Sequence, residues 1–248
     1  MSTRRVVWFS CGAASGVLAR IATETYDDIT VVYCDTMRDE HPDNMRFYED
    51  VERWIGQPIE TIASDRFASI DDVFAKRRYL SGIAGAPCTV AMKKMPRFAF
   101  EQPGDVHMFG FTADEPDRIE RFDQNNPDLD AEHLLADRGI TKADCYQIIE
   151  EAGIAMPAMY LLGYSNNNCL GCVKASSGTY WNMIRRDFPD VFAKRARQSR
   201  EYGARLVKVR GERWFLDELP ADYWPTVVEN ISCGPDCGTQ LRIVEDTP

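Results

Sequence analysis

The sequence predicts an α/β fold with a doubly wound, mostly parallel sheet and a small C-terminal appendage. Three strand-like runs, at 5–9, 29–33 and 58–63, alternate with apolar residues at helical spacing over 14–24 and 43–54. Because parallel strands need crossover connections, which are right-handed when they carry a helix, this alternation favours a parallel sheet covered by helices.

The middle of the chain continues the alternation. Residues 69–80 start with a capping pattern and are predicted to be helical, as are residues 89–100. Residues 105–111 form the next predicted strand, and 141–152 a helix that also opens on a capping pattern. We expect the acidic segment between them, 114–137, to lie outside the sheet as a helix followed by a loop.

The C-terminal quarter of the chain differs in character from the rest. The basic pattern of 191–202 predicts a helix, and 205–216 reads as a hairpin that turns near an Arg-Gly-Glu sequence. We therefore divide the chain into a main domain over 1–185 and an appendage over 186–248 that folds back onto it.

Composition limits the class of protein. The 248 residues are 44% hydrophobic and carry a net charge of −10, as expected for an ordinary globular chain that does not wrap nucleic acid by bulk electrostatics. No apolar stretch approaches the roughly 18 residues of a membrane span, and the first residues lack the pattern of a signal peptide. These features predict a cytoplasmic protein with no membrane partner.

The turn after the first strand has the chemistry of an anion site. Ser10, Gly12 and Ser15 would place hydroxyls and backbone N–H groups at the positive end of the following helix. The second strand ends at Asp35. Its carboxylate could accept hydrogen bonds from a ribose or an adenine edge, and it could equally be a turn residue that ends the strand. Small residues also join strand to helix in many α/β proteins that bind nothing there.

Eight cysteines in a reducing compartment indicate metal binding or thiol chemistry more than a disulfide framework. The spacing of Cys169 and Cys172 suits zinc, an iron–sulfur cluster or a redox dithiol. Cys88 offers a third thiol at the start of a helix, and Cys233 and Cys237 a fourth and a fifth. Cys11, Cys34 and Cys145 read as small buried hydrophobes, and His107, inside an apolar strand, reads as a core residue.

Cations recur near these cysteines. Lys93, Lys94 and Arg97 follow Cys88 on one helical stretch, and Arg118 lies after the strand at 105–111. Together they would serve a sulfate or phosphate group, although each alone is more often a solvated surface charge. The neighbouring aromatic pair at 180–181 could stack on a base; burial at a helix contact is the favoured interpretation.

These motifs together resemble the PP-loop (adenine nucleotide alpha-hydrolase-like) superfamily, and within it the phosphoadenylyl sulfate (PAPS) reductase family. The resemblance covers roughly residues 5–185 with the order of motifs kept. It departs from the nucleotide-activating members where Ala13-Ala14 replace Lys-Asp, which puts ATP cleavage in doubt but not nucleotide binding. The motifs are Phe9-Ser10-Cys11-Gly12-Ala13-Ala14-Ser15, Asp35-Thr36, Glu40-His41-Pro42, Cys88 with Lys93, Lys94 and Pro96, Gly110-Phe111 with Glu115 and Arg118, and Leu162-Gly163-Tyr164 before Cys169-Leu170-Gly171-Cys172.

The resemblance implies an adenine nucleotide as ligand and a 4Fe-4S cluster, with zinc in a closed site as the alternative. The nucleotide contacts carried over are Ser10, Gly12, Ser15, Asp35, Lys93 and Arg118. The implied metal ligands are Cys88, Cys169, Cys172 and Cys233. Cys237, in a variant of the reductases' Glu-Cys-Gly tail that lacks the following His, is the implied nucleophile; if it ligated the metal with Cys233, no nucleophile would remain.

Three functions are compatible with this resemblance. The first is thiol-dependent reduction of an adenylylated sulfate to sulfite, with an adenine sulfonucleotide as substrate and a thioredoxin-like reductant as partner. The second is ATP-dependent sulfurtransfer to tRNA or DNA, with nucleic acid as partner. The third is a non-enzymatic member that senses or inhibits. The sequence leaves the oligomeric state open, a homodimer included.

Overall fold

A computed structural model describes residues 3–82, 85–225 and 231. A five-stranded, all-parallel sheet lies at its centre, in the spatial order β3-β2-β1-β4-β5. The strands are β1 (Arg5–Phe9), β2 (Ile29–Cys34), β3 (Glu60–Ile62), β4 (Val106–Met108) and β5 (Ala131–Glu132). The predicted α/β class and the arrangement of helices around a parallel sheet are confirmed.

Helices cover the sheet and build the C-terminal part. Those in the described residues are α1 (Ala13–Thr25), α2 (Asn44–Ile55), α3 (Ile70–Arg77), α4 (Pro87–Thr89), α5 (Met95–Phe100), α6 (Pro116–Asn125), α7 (Leu134–Asp137), α8 (Lys142–Glu151), α9 (Ala158–Leu161), α10 (Gly178–Asp187) and α11 (Pro189–Glu201). A π-helical segment, Val90–Lys94, joins α4 to α5. None of these helices is both long enough and apolar enough to cross a bilayer.

The alternation of side chains along β1 divides the core of the sheet in two. Val7 and Phe9 pack into one cluster with α1, α2 and α8, whereas Val6 and Trp8 pack on the opposite face. This is the period-2 pattern of a strand that is buried on both faces. A third cluster joins α3, α4, α10 and α11 and holds the cysteine-containing segment.

The strand order reverses between β1 and β4. β1 pairs with β2 on one side (Phe9 opposite Tyr33) and with β4 on the other (Val7 opposite Met108). In a doubly wound sheet the crevice at such a reversal, outside the carboxyl ends of the strands, is where ligands bind.

The expectation that segment 114–137 lies outside the sheet is wrong in one part. β5 falls within it and pairs in parallel with β4, with His107 opposite Ala131. Arg5 anchors this edge through an ion pair of 3.1 Å to Glu132. Two residues are too few to show a strand period, so the charge of the segment concealed the strand.

The helix caps are formed as the sequence indicates. The Ser69 hydroxyl accepts from the backbone N–H of Asp72 at 3.1 Å, and Thr141 forms a full capping box with Asp144. β4 is shorter than the predicted strand because the chain turns at once, with the N–H of Phe111 donating to the carbonyl of Phe109 at 2.7 Å. That turn brings residues 109–112 to the crevice.

The predicted C-terminal hairpin is confirmed as β6 (Val207–Val209) paired antiparallel with β7 (Glu212–Trp214). Position 186, where the appendage was expected to begin, lies inside α10, and Trp181 and Phe192 from its two sides share one hydrophobic cluster. Trp181 is fully buried and its indole N–H donates to the Ala175 carbonyl at 3.1 Å. The buried interpretation of the aromatic pair at 180–181 is therefore correct.

His107 is a core residue, as expected. Its Nδ1 accepts the indole N–H of Trp8 at 3.0 Å, so the ring is held neutral in the tautomer that leaves Nδ1 unprotonated. Burial lowers the pKa of His107 to about 4, and the nearby Arg97 charge acts in the same direction.

The lowered pKa of His107 makes the free energy of unfolding depend on pH. An unfolded histidine, with a pKa of about 6.5, binds more protons than the folded one between pH 6.5 and about 4. The free energy of unfolding should therefore fall as the pH drops through this window, by about 2–3 kcal/mol from this residue. Urea unfolding of wild type and His107→Asn at pH 7.5, 6 and 4.5 measures it. Asparagine still accepts from Trp8 and does not titrate, so an unchanged slope in the variant would contradict the assignment.

Candidate functional site

An open pocket lies at the carboxyl ends of β1 and β4. The strands, the first turn of α1 and three loops supply its walls. Its lining residues are Trp8, Ser10, Gly12, Ala14, Ser15, Lys93, Phe109, Gly110, Thr112, Glu115, Arg118, Lys142, Tyr160, Asn166, Asn167, Asn168 and Ile231. The pocket therefore occupies the crevice that the strand order predicts.

The first turn of α1 is shaped to receive an anion. The Ser15 hydroxyl donates to the Gly12 carbonyl at 2.9 Å and accepts from the Ser10 N–H at 3.1 Å, which fixes the turn between strand and helix. The N–H of Ala13 meets the Tyr160 hydroxyl at 3.3 Å. The N–H groups of Ala14 and Ser15 have no intrahelical acceptor at this end of the helix. Those two donors border the pocket.

Gly110 lets the loop after β4 approach α1 closely. A Cβ at this position would lie 2.9 Å from the backbone nitrogen of Ser15, which is backbone that cannot swing away. On the other side of the turn, Cys11 adopts a φ of 54°, in the left-handed region. Its carbonyl accepts from Asn167 Nδ2 at 2.7 Å. The turn is thus held from both sides, at some conformational cost at Cys11.

A buried polar chain connects Glu40 to that turn. The Glu40 carboxylate accepts from the Thr36 hydroxyl and from Asn44 Nδ2, both at 2.6 Å. Asn44 Oδ1 in turn accepts from Asn167 Nδ2 at 2.8 Å. Burial raises the pKa of Glu40, and the positive charge of Lys93 opposes that shift. The chain fixes the orientation of both amides, so Asn167 must present its Nδ2 to the Cys11 carbonyl.

The described lining of the pocket carries three cations, Lys93, Arg118 and Lys142, against the single carboxylate of Glu115. Arg118 donates to Glu115 at 2.9 Å, and Glu115 also accepts from the Thr112 hydroxyl at 3.1 Å. A chain of net charge −10 thus surrounds this pocket with excess positive charge. An anionic ligand is the electrostatic complement of such a lining.

Two residues of the core, Trp8 and Phe109, also border the pocket. Trp8 and Phe109 lie 6.4 Å apart between centroids with an interplanar angle of 14°. Both side chains are buried, so they give this part of the pocket an apolar base.

Five of the six expected nucleotide contacts line the pocket: Ser10, Gly12, Ser15, Lys93 and Arg118. Asp35 does not. Its carboxylate accepts from the Met37 N–H at 3.2 Å, as a strand-ending turn residue does. Lys142, Tyr160 and Asn167 carry no sequence signal of a site, because nothing in the spacing shows that their segments return to α1.

The turn that carries Cys169 and Cys172 is tightly held. The Leu170 N–H donates to the Asp39 carbonyl at 2.9 Å, and the Cys172 N–H to the Tyr180 hydroxyl at 2.8 Å. Both thiols are buried, and Cys88, half-buried, packs against the same hydrophobic cluster.

A buried arginine fixes the centre of that turn. Arg195 Nε donates to the Gly171 carbonyl at 3.1 Å, and its guanidinium pairs with Asp71. Burial alone would raise the pKa of Asp71, but this guanidinium, with Lys194, holds it at about 2. Gly171 has a φ of 64°, and a Cβ there would lie 2.8 Å from Val191 Cγ1. The glycine is required both by conformation and by space.

Cys88, in α4, and Cys169 and Cys172, in this turn, offer three sulfurs, which are the ligands that zinc and iron–sulfur clusters prefer. Within residues 3–82, 85–225 and 231, no three His, Cys, Asp or Glu side chains are grouped closely enough to hold an ion. The expected fourth ligand Cys233 and the expected nucleophile Cys237 lie outside the described residues.

Two short segments of the chain each carry both a residue of the pocket lining and one or two of these cysteines. Lys93 follows Cys88 by five residues, about 7 Å along a helix, and Asn168 directly precedes Cys169. Cys11 and Cys34 are buried beside the pocket, and burial raises the pKa of Cys34 to about 11, as expected of an unreactive thiol. Cys145 is buried in the core.

Neither a protein-family model nor a curated protein sequence matches this chain.

Substitution of Gly171 tests how the cysteine turn is held. Gly171→Ala should lower the free energy of unfolding by about 1 kcal/mol for the left-handed backbone and about 1–3 kcal/mol more for the contact with Val191. Gly203→Ala is the matched control, because Gly203 has a φ of 67° and a Cβ there would have nothing within 4 Å. Urea unfolding of both variants measures the difference. Equal losses would show that the space around Gly171 does not matter.

Proposed function

We propose that the protein is a thiol-dependent reductase of an adenylylated sulfate, similar to the PAPS reductases. The observation that carries the proposal is the sharing of two chain segments by a positively lined pocket and three cysteines. A reductase of this kind needs an anion-binding crevice for the phosphate groups of the nucleotide, with a cysteine site beside it.

The pocket supports the binding half of the proposal. The free N–H groups of the α1 first turn and the cations Lys93 and Arg118 suit a phosphosulfate. The apolar base that Trp8 and Phe109 give to the pocket suits the less polar part of the nucleotide. The neighbouring pair Ala13-Ala14 supplies no side-chain cation for pyrophosphate cleavage, which favours reduction over ATP-dependent activation.

The proposed chemistry is nucleophilic displacement at sulfur. The Cys237 thiolate attacks the sulfate sulfur, an S–S bond forms, and the bond from sulfur to the bridging oxygen breaks. The nucleoside phosphate leaves with that electron pair, and the enzyme holds a cysteine S-sulfonate. A dithiol reductant of the thioredoxin class then donates two electrons: it becomes a disulfide, sulfite departs, and the cysteine thiol is restored.

Cys88, Cys169 and Cys172 would hold an iron–sulfur cluster or zinc, with Cys233 as the proposed fourth ligand. Such a centre would fix the relative positions of these cysteines in the segments next to the pocket. The contacts that Arg195 and Tyr180 make with the turn would keep two of those thiols in place.

Sulfite formation tests the proposal. Anaerobically purified, iron-reconstituted protein should release sulfite from phosphoadenylyl or adenylyl sulfate when thioredoxin and a reductant are present. The rate of sulfite release should fall at least about 1,000-fold in Cys237→Ser, because a hydroxyl is a poor nucleophile without a base. Cys145→Ala, a thiol removed from the core of α8, is the control and should retain sulfite release.

The outcomes separate the candidates. Sulfite release that survives Cys237→Ser would remove that residue as nucleophile. No sulfite from wild-type protein that holds iron and acid-labile sulfide would overturn the reductase and direct the assay to ATP-dependent thiolation of tRNA or DNA.

A further inference from the structure

Lys142 lines the pocket, and its ammonium donates to neutral acceptors. It is the first residue of α8, and its backbone N–H donates to Asp114 Oδ1 at 3.0 Å. Its ammonium donates to the Ser165 carbonyl at 2.6 Å and to Asn166 Oδ1 at 3.0 Å. Both acceptors are neutral, and one of the three ammonium N–H groups is left over.

The charge of Lys142 has no ion-pair partner within the described part of the chain. Glu115, the carboxylate in the lining, is already engaged by Arg118 at 2.9 Å and by the Thr112 hydroxyl. Burial lowers the pKa of Lys142, while Glu115 and Asp114 at longer range raise it and Arg118 lowers it. A partly buried, unpaired ammonium is costly unless something in the site compensates it.

We propose that the Lys142 ammonium binds the anionic tail of the ligand in this pocket and sets the preference of the site for charged over uncharged nucleosides. The inference rests on the proposed function to the extent that the ligand is a nucleotide. It is independent of whether that nucleotide is reduced.

A purely structural role would not require the charge. Two neutral acceptors can be satisfied by a neutral amide, and α8 is already fixed by the capping box of Thr141 and by its packing against α1. The charge itself is useful only to a negative partner. Lys142 and the donors of the α1 first turn border the same pocket, so one anionic group or two adjacent ones can use both.

The test compares ADP, a stable stand-in for a phosphosulfate, with adenosine by isothermal titration calorimetry. Wild type should bind ADP more tightly than adenosine. Lys142→Gln keeps amide donors for Ser165 and Asn166 but removes the charge, so it should weaken ADP about tenfold and leave adenosine unchanged. Lys142→Arg should retain most of the preference. Lys208→Gln, which removes an exposed charge on β6 outside the pocket, should change neither affinity.

The affinities of the variants decide whether Lys142 binds the anionic part of the ligand. A selective loss for ADP in Lys142→Gln, with a melting temperature near that of wild type, supports the proposal even if sulfite release fails. Equal losses for ADP and adenosine, no loss for either, or a wild type that binds neither would overturn it. If wild type releases sulfite but Lys142→Gln keeps the wild-type preference for ADP over adenosine, the reductase proposal is supported and the role of Lys142 is overturned.

Discussion

The near-contact between the loop after β4 and the first turn of α1 is the constraint on which the site depends. It exists because β1 and β4 are adjacent and parallel, so their carboxyl ends open on the same side. Only a residue without a Cβ fits at Gly110, where a Cβ would lie 2.9 Å from the Ser15 nitrogen. This approach places Gly110 beside the first turn of α1, and both border the pocket.

Two buried charged side chains, Glu40 and Arg195, fix loops that make no hydrogen bonds of the central sheet. Glu40 orients Asn44 and Asn167 behind the α1 turn, and Arg195 holds the cysteine turn through the Gly171 carbonyl. Burying charge is costly, and such groups are more effective at specifying one arrangement than at adding net stability. Glu40 and Arg195 both hold loops next to the region where the chemistry is proposed. The energetic cost of burying these two groups therefore serves the geometry of the site.

Much of the fold follows from the sequence, because long apolar runs and capping patterns are local signals. They place β1, β2 and the helices at 14–24, 43–54 and 141–152 within a residue or two of their observed ends. β5 gives no such signal because two residues carry no period. Ser10, Gly12 and Ser15 could be assigned to the pocket because they follow a strand. Lys142 and Asn167 could not, since only tertiary packing returns their segments to α1.

The two edges of the sheet bear on how copies of this chain can associate. β3 has three residues, two of them exposed, and β5 has two, of which Glu132 forms an ion pair with Arg5. Edges this short offer a neighbouring molecule few backbone groups to hydrogen-bond. Extension of the central sheet from one copy into the next would therefore gain few backbone hydrogen bonds at the described edges.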